Sequence, residues 1–442
     1  MLKTSYLSIL KVAVPLMAGT FIQSLVMITD AAILSRHSTL SFDASGNAGL
    51  IYLTLFMGLT GLGDAAQIII ARRVGAKEPH LVNGLVQSSF LLNVLLGSLF
   101  FLLVVLVVPT MLHSYSNNIA LADEQIQFLN IRSIGFVAAA FMLTLNAFFM
   151  AIGKTWVIFL STSVFAVSNI LLDYYLVFGF GSVPPMGIEG AAWASVISEW
   201  LTVAILLLFL LISKEKKKFN LFSKLAIPFH LIKRIAVVGS PLVFQGFVAL
   251  ATWAVFFTWL EQLGTYELTV SQNIRAVYFL AFVPIFGFGS TTRTYIAQYI
   301  SWNNPKIINR IIKRIQLLIL IFLIVFFHGA ILYPTELIRM INPEELYIEE
   351  SARILRLVFG SVLVFGLATP LFQTINGSGN TKISLLVEVA AILTYLSFAY
   401  FFIKVWDFNI YQIWTVEYIY FGSMLLFSFI YLRFFNWRNK KF

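Results

Sequence analysis

TWVIFLSTSVFAVSNILLDYYLVFGFGSVPPMGIEGAAWASVI, residues 155–197, decides the fold class. A long apolar run carries Asn169 and Asp173, breaks over Gly179–Pro185, and restarts at the small-residue run Gly190-Ala191-Ala192. This is two apolar helices joined by a tight Gly/Pro turn. The same grammar recurs outward from it in both directions. The chain of 442 residues is 59% hydrophobic and 11% charged, with mean hydropathy +0.88. Soluble globules carry roughly a quarter charged residues. Apolar runs of about 20 residues repeat along the whole length, so the bilayer is the solvent. They are too long and too uniformly apolar for barrel strands, which leaves an all-α polytopic membrane protein.

Twelve spans are expected. Lys and Arg sort between their loops: Arg72-Arg73-Lys77, Lys154, Lys214 to Arg234 (with Lys224), Lys306 to Arg314 and Lys382 all follow even-numbered spans, and both termini are basic. The odd-numbered loops hold Asp123-Glu124, Glu261, Glu267, Glu336, Glu344-Glu345 and Glu349-Glu350. The positive-inside rule then places both termini in the cytoplasm, in a cell (inner) membrane. The formal net charge of +10 is therefore loop chemistry facing anionic lipid and calls for no nucleic acid. The absence of cysteine excludes disulfides, thiolate metal sites and cysteine nucleophiles. The first apolar run is too long for a cleavable leader and reads as a span. No phosphate-binding loop, His/Glu metal spacing or nucleophile elbow is present, so the chain holds no ATP-driven motor. No cofactor is expected.

The chain repeats itself. Shifted by 226 residues, Pro15-Leu16 meets Pro241-Leu242, Ser45-x-Asn47 meets Ser271-x-Asn273, and Tyr52 meets Tyr278. Gly61-x-Gly63 meets Gly287-x-Gly289, Asn83 meets Asn309, and Gly153-x-Thr155 meets Gly379-x-Thr381. Matches of Pro, Gly and Asn at one offset do not arise from apolar bias. The expected organisation is an N-lobe of six spans (1–213), a basic cytoplasmic linker (214–234) and a C-lobe of six spans (235–442). An even span count gives both lobes the same orientation, with pseudo-symmetry about the membrane normal and a central cleft suited to alternating access.

The halves differ in their acids. At the same offset Asp30 meets Phe256, Asn169 meets Tyr395 and Asp173 meets Ala399. Asp30 and Asp173 each lie about 18 residues into their spans, roughly 27 Å along their helices. Asn169 is one turn from Asp173 on one face, and Ser195 reaches similar depth from the outer end of the sixth span. A charged group in a membrane core costs roughly 2.5–3.5 kcal/mol or more and faces a cavity, partner or ion. Two such carboxylates close together take up a proton or are bridged by a cation. Glu199, one turn below Ser195, and Asp64 in the second span are secondary candidates. Gln23 and Trp253 are candidate cleft residues, Trp253 for cation–π contact with cargo.

These motifs resemble the MATE (multidrug and toxic compound extrusion) transporters along nearly the whole chain. The carriers of the resemblance are Ile28-Thr-Asp30-Ala-Ala-Ile-Leu-Ser-Arg36, Gly61-Leu-Gly-Asp-Ala-Ala-Gln-Ile-Ile-Ile-Ala71 with Gly75-Ala76, Asn169-Ile-Leu-Leu-Asp173, Phe178-Gly179 and Gly187-Ile-Glu-Gly190-Ala-Ala-Trp-Ala194. The resemblance implies a secondary antiporter that exports organic cations in exchange for protons or sodium ions, working as a monomer. Its DinF-like branch implies cation coupling at Asp30, Asn169 and Asp173, with Ser195 where a Thr is usual. If sodium is the coupling ion, Asp30, Asn169 and Asp173 are its ligands. The NorM-like branch relies on acids in the seventh and tenth spans, where this chain reads Phe244-Gln-Gly-Phe-Val-Ala-Leu-Ala251 and Gly366-Leu-Ala-Thr-Pro370. Two other functions are weighed. A flippase or exporter of lipid-linked or other anionic amphiphiles would use deep basic residues such as Arg132, Arg275, Arg293 and Arg356. An intramembrane aspartyl hydrolase would use Asp30 and Asp173 but leaves the duplication unexplained, so no enzyme is expected.

Overall fold

A computed structural model describes residues 2–115, 118–181, 183–223, 227–302 and 304–438. Lys224 of the basic linker and the last residues of the basic C-terminus lie outside them. The helices are, in order, α1 (Tyr6–His37), α2 (Thr39–Gly75), α3 (Val82–Leu106), α4 (Val108–Tyr115), α5 (Ile119–Arg132), α6 (Gly135–Ala151), α7 (Thr155–Phe178) and α8 (Gly187–Ile212). There follow α9 (Lys214–Lys218), α10 (Phe229–Glu261), α11 (Thr265–Tyr299), α12 (Pro305–Phe327), α13 (Gly329–Leu332), α14 (Pro334–Ile341), α15 (Glu345–Gly377), α16 (Thr381–Tyr400), α17 (Ile410–Ile413) and α18 (Val416–Phe434). Among the described residues there is no β-strand, only an isolated bridge between Phe180 and Val183 in the turn after α7.

Among the described residues ten helices are long and apolar enough to cross a membrane, and the bent pair α5–α6 makes eleven. Two of the twelve expected spans therefore take less regular forms. The fourth, 126–150, is broken between α5 and α6 with a bend of 44°. The ninth, 311–333, is divided between α12 and α13 at His328. The basic residues Lys306, Arg310, Lys313 and Arg314 occupy the first half of α12, so its apolar stretch has to run on past Phe327. The outward faces are those of a lipid-solvated protein: Leu95, Leu99, Leu102 and Leu106, at helical spacing along α3, are all exposed.

The helices pack into two compact units. One comprises Ala18–Val243, and the other joins the residues up to Met17 to those from Phe244 onward. The division falls inside α1 and α10, not at the linker by which the sequence divides. Each division point follows by two residues a matched proline, Pro15 in α1 and Pro241 in α10. Proline removes a backbone donor from the helix interior, which is where a long helix most readily changes direction.

In the first unit, Tyr52, Leu59, Val104, Phe128, Phe136 and Ile188 form a buried core. The two helices of the opening stretch, α7 and α8, lie against each other over much of their length. Gly190 permits this: a Cβ there would lie 2.7 Å from the Leu176 carbonyl. The turn between them needs Gly179 (φ 75°) and Gly187 (φ 55°), a left-handed backbone costly for other residues. In the second unit the chain start is tied to α11. Tyr299 Oη donates to Leu2 O (2.6 Å), Tyr295 Oη donates to Lys3 O (2.9 Å), and Leu2 N donates to Gln298 Oε1 (3.0 Å).

Candidate functional site

The first unit gathers Asp30, Asn169, Asp173 and Ser195. Helical spacing puts Asn169 and Asp173 on one face of α7, both fully enclosed. From α8, Ser195 meets Asn169, whose Nδ2 donates to Ser195 Oγ at 3.4 Å, a long bond. From α1, Asp30 brings its carboxyl group within sharing reach of that of Asp173. Asp30 Oδ1, Asn169 Oδ1 and both carboxyl oxygens of Asp173 are shut off from solvent and make no hydrogen bond of normal geometry. Buried acceptors without donors are costly. Among the described residues these four thus gather several buried oxygen acceptors whose nearest partners are one another.

A second polar group adjoins the first. Arg132, the last residue of α5, donates through Nη2 to Glu199 Oε1 of α8 at 2.7 Å. Tyr52 of α2 donates to the same oxygen at 3.4 Å. The Arg132 guanidinium lies 4.1 Å from the centre of the Tyr52 ring, which stacks on Phe136 at 4.5 Å. Gly135 opens the space, since a Cβ there would collide with Glu199 Oε2 and the Arg132 guanidinium. Arg132 also acts electrostatically on Asp30 and on Asp173. The oxygen set therefore sits beside a fixed positive charge. No group of three or more His, Cys, Asp or Glu able to hold a metal ion occurs among the described residues.

Of the secondary candidates, Glu199 is the ion-pair partner of Arg132, and Asp64 is half-buried on α2. Gln23 is exposed on α1, two turns before Asp30 and on its face. Trp253 belongs to the other unit. There it packs among Phe257, Tyr278, Phe279 and Phe282 at ring distances of 5.7–6.4 Å. Of the deep basic residues, Arg132 is paired, and Arg275 lies over the Phe257 ring at 4.7 Å. Sequence reasoning did not join Arg132, Glu199 and Tyr52. The one signal was Tyr52 itself, which the repeat preserves as Tyr278.

The family model MatE matches residues 15–175 and again 241–401, two copies at the repeat offset. The "Probable multidrug resistance protein NorM" of Thermotoga maritima is 24% identical over 394 residues, covering 87% of this chain and 83% of that one. The protein of that name from Listeria monocytogenes is 30% identical over 222 residues, covering 49% of this chain and 48% of that one. Among solved structures, an outward-facing multidrug resistance MATE family transporter of the MOP superfamily superposes with TM-score 0.89 at 17% identity, over 96% of this chain and 94% of that one. A MOP superfamily transporter from Pyrococcus furiosus, described as having a binding pocket of reverse polarity, superposes with TM-score 0.84 at 18% identity, over 96% and 93%. These likenesses give the fold, and the doubled match of the family model gives the lineage. The chain belongs to the MatE family, the MATE membrane transporters.

Proposed function

We propose that this protein is a secondary antiporter that exports organic cations across the cell membrane in exchange for protons or sodium ions. The coupling ion is taken up between Asp30 and Asp173, with Asn169 and Ser195 completing its oxygen shell, as in the DinF-like branch. The observation that carries this reading is the approach of the two carboxyl groups, with three of their four oxygens enclosed and without a hydrogen bond of normal geometry. Two carboxylates so placed repel each other, and a proton or sodium ion between them removes the repulsion. The names of the multidrug relatives support the cargo class. The pairing of Arg132 with Glu199 supports it too, because that guanidinium is already committed to a carboxylate and does not await an anionic cargo.

Alternating access then follows from linkage. Filling the site draws α1 and α7 together, and emptying it lets them part. Cargo and ion therefore favour different conformations, and each drives the other. The distribution of basic loops supports cytoplasmic termini, so the coupling ion enters from the face opposite the linker. The test is efflux from vesicles holding wild-type, Asp30→Asn or Asp173→Asn protein. Both variants lose gradient-driven efflux while remaining folded. Wild-type rates in both would overturn the assignment.

A further inference from the structure

The second unit holds two buried acids that the antiport site does not use. Glu417 of α18 is 2% exposed and Glu388 of α16 is 6% exposed. Tyr278 Oη donates to Glu417 Oε2 at 2.8 Å, and Tyr420 Oη donates to Glu388 Oε1 at 2.6 Å. Between them stands Tyr395, 2% exposed, its ring 5.4 Å from that of Tyr420. Its hydroxyl is buried, directed toward Glu417 and without a hydrogen bond of normal geometry. The groups facing the two carboxyls are these three phenols, with Glu388 and Glu417 both acting on Tyr420. No Lys, Arg or His pairs with either acid among the described residues.

The repeat makes the contrast specific. Tyr52 and Tyr278 occupy matched positions, and each bonds a buried glutamate from the last helix of its own six-span half. In the first unit Arg132 neutralises that glutamate. At the matched position of the second unit stands Val358, fully buried and unable to do so. Tyr395 takes the place of Asn169. An acid so enclosed, offered only phenol donors, needs a positive charge from outside the chain's own side chains.

We infer that Glu417 and Glu388, with Tyr278, Tyr395 and Tyr420, form a proton-carrying site, located in the carboxy-terminal unit and distinct from the Asp30–Asp173 pair. The transporter thus holds an exchangeable proton in the carboxy-terminal unit in addition to the coupling-ion site of the other unit. Because one site is built on aspartates and the other on glutamates, isotope labelling separates them. Full-length protein labelled with carboxyl-13C glutamate, in lipid nanodiscs, is measured by infrared spectroscopy at neutral pH. A labelled protonated-carboxyl band is expected. Glu388→Gln and Glu417→Gln each weaken it, and the double variant abolishes it. Tyr278→Phe and Tyr420→Phe shift its frequency without removing it, which guards against reading misfolding as loss of the site. Replacing sodium chloride with choline chloride leaves it unchanged. Asp30→Asn and Asp173→Asn also leave it unchanged, so failure of the antiport assignment would not touch this result. Absence of the band, its persistence in the double variant, or its appearance only when sodium is withdrawn would each overturn the proposal, the last in favour of a sodium site.

Discussion

Removing the carboxylate of Glu199 is the perturbation whose consequence the structure fixes most closely. The Arg132–Glu199 pair has a 2.7 Å contact, with side chains only 13% and 7% exposed. Solvent screening, which reduces surface pairs to about 0–1 kcal/mol, is largely excluded here. At an effective dielectric constant near 20, unit charges about 4 Å apart attract by roughly 4 kcal/mol. Breaking a buried pair from one side costs about 3–5 kcal/mol, because the remaining charge is stranded. Glu199→Gln is therefore expected to lower the unfolding free energy by about 3 kcal/mol. Arg132→Met is expected to cost a similar amount. The double variant Arg132→Met/Glu199→Met should lie within about 1–2 kcal/mol of wild type, since it strands neither charge. Reversible unfolding of the purified protein in mixed micelles by denaturing detergent, read by circular dichroism, supplies the cycle. A coupling of at least about 2 kcal/mol is expected from residues in direct contact. Additive single effects, or a Glu199→Gln variant as stable as wild type, would show that Arg132 and Glu199 are not a committed pair, and the account of the ground beside the ion site would fail with it.

Other expectations follow from the same geometry. Gly190→Val drives side-chain atoms into the Leu176 carbonyl, and such overpacking costs about 1–3 kcal/mol. It should lower both the thermal unfolding temperature and the transport rate, since α7 carries Asn169 and Asp173. Asn169→Ala removes the link to Ser195 and one oxygen of the proposed ion shell, and Ser195→Ala removes one hydroxyl. A lost hydrogen bond of about 0.5–1.5 kcal/mol corresponds to a roughly two- to tenfold weaker apparent ion affinity for Ser195→Ala, with a larger loss for Asn169→Ala, read from the ion dependence of efflux. On α3, Leu99→Arg places a charge on an outward face and should reduce membrane insertion by about 2.5–3.5 kcal/mol in a translocation assay. The same substitution at the buried Gly97, against Phe136 O, should insert comparably but fail to fold.

Much of the fold was legible because a bilayer imposes a simple rule: a helix has to stay apolar for about 20 residues. That rule loses definition where α12 carries four basic residues over 305–314 and where α5 gives way to α6 at a bend. The division of α1 and α10 between compact units was not legible, since it falls within continuous apolar helices and no loop marks it. Within the site, Asn169 and Asp173 could be paired from helical spacing, and Asp30 could be set at their depth by counting rise per residue. The Arg132–Glu199–Tyr52 group could not. Its members come from three helices, separated by 67 and 147 residues, and the rotation of each helix about its axis is set by packing. Glu417 was passed over for a related reason. It opens α18 beside a run of aromatic residues, where an acid reads as a solvated helix start, yet the packing of α11 and α16 encloses it.

One small cation, held by Asp30 and Asp173, is proposed to be exchanged for cargo. The most direct measurement is ion movement itself, in proteoliposomes loaded with an organic cation and diluted into cargo-free buffer under separately imposed pH and sodium gradients. Uptake is followed with an internal pH dye and with radiolabelled sodium. In the wild type, cargo efflux should draw protons or sodium inward in step with it, and Asp173→Asn should abolish that ion flux. Cargo efflux unaccompanied by either ion, or ion uptake undiminished in Asp173→Asn, would contradict the account.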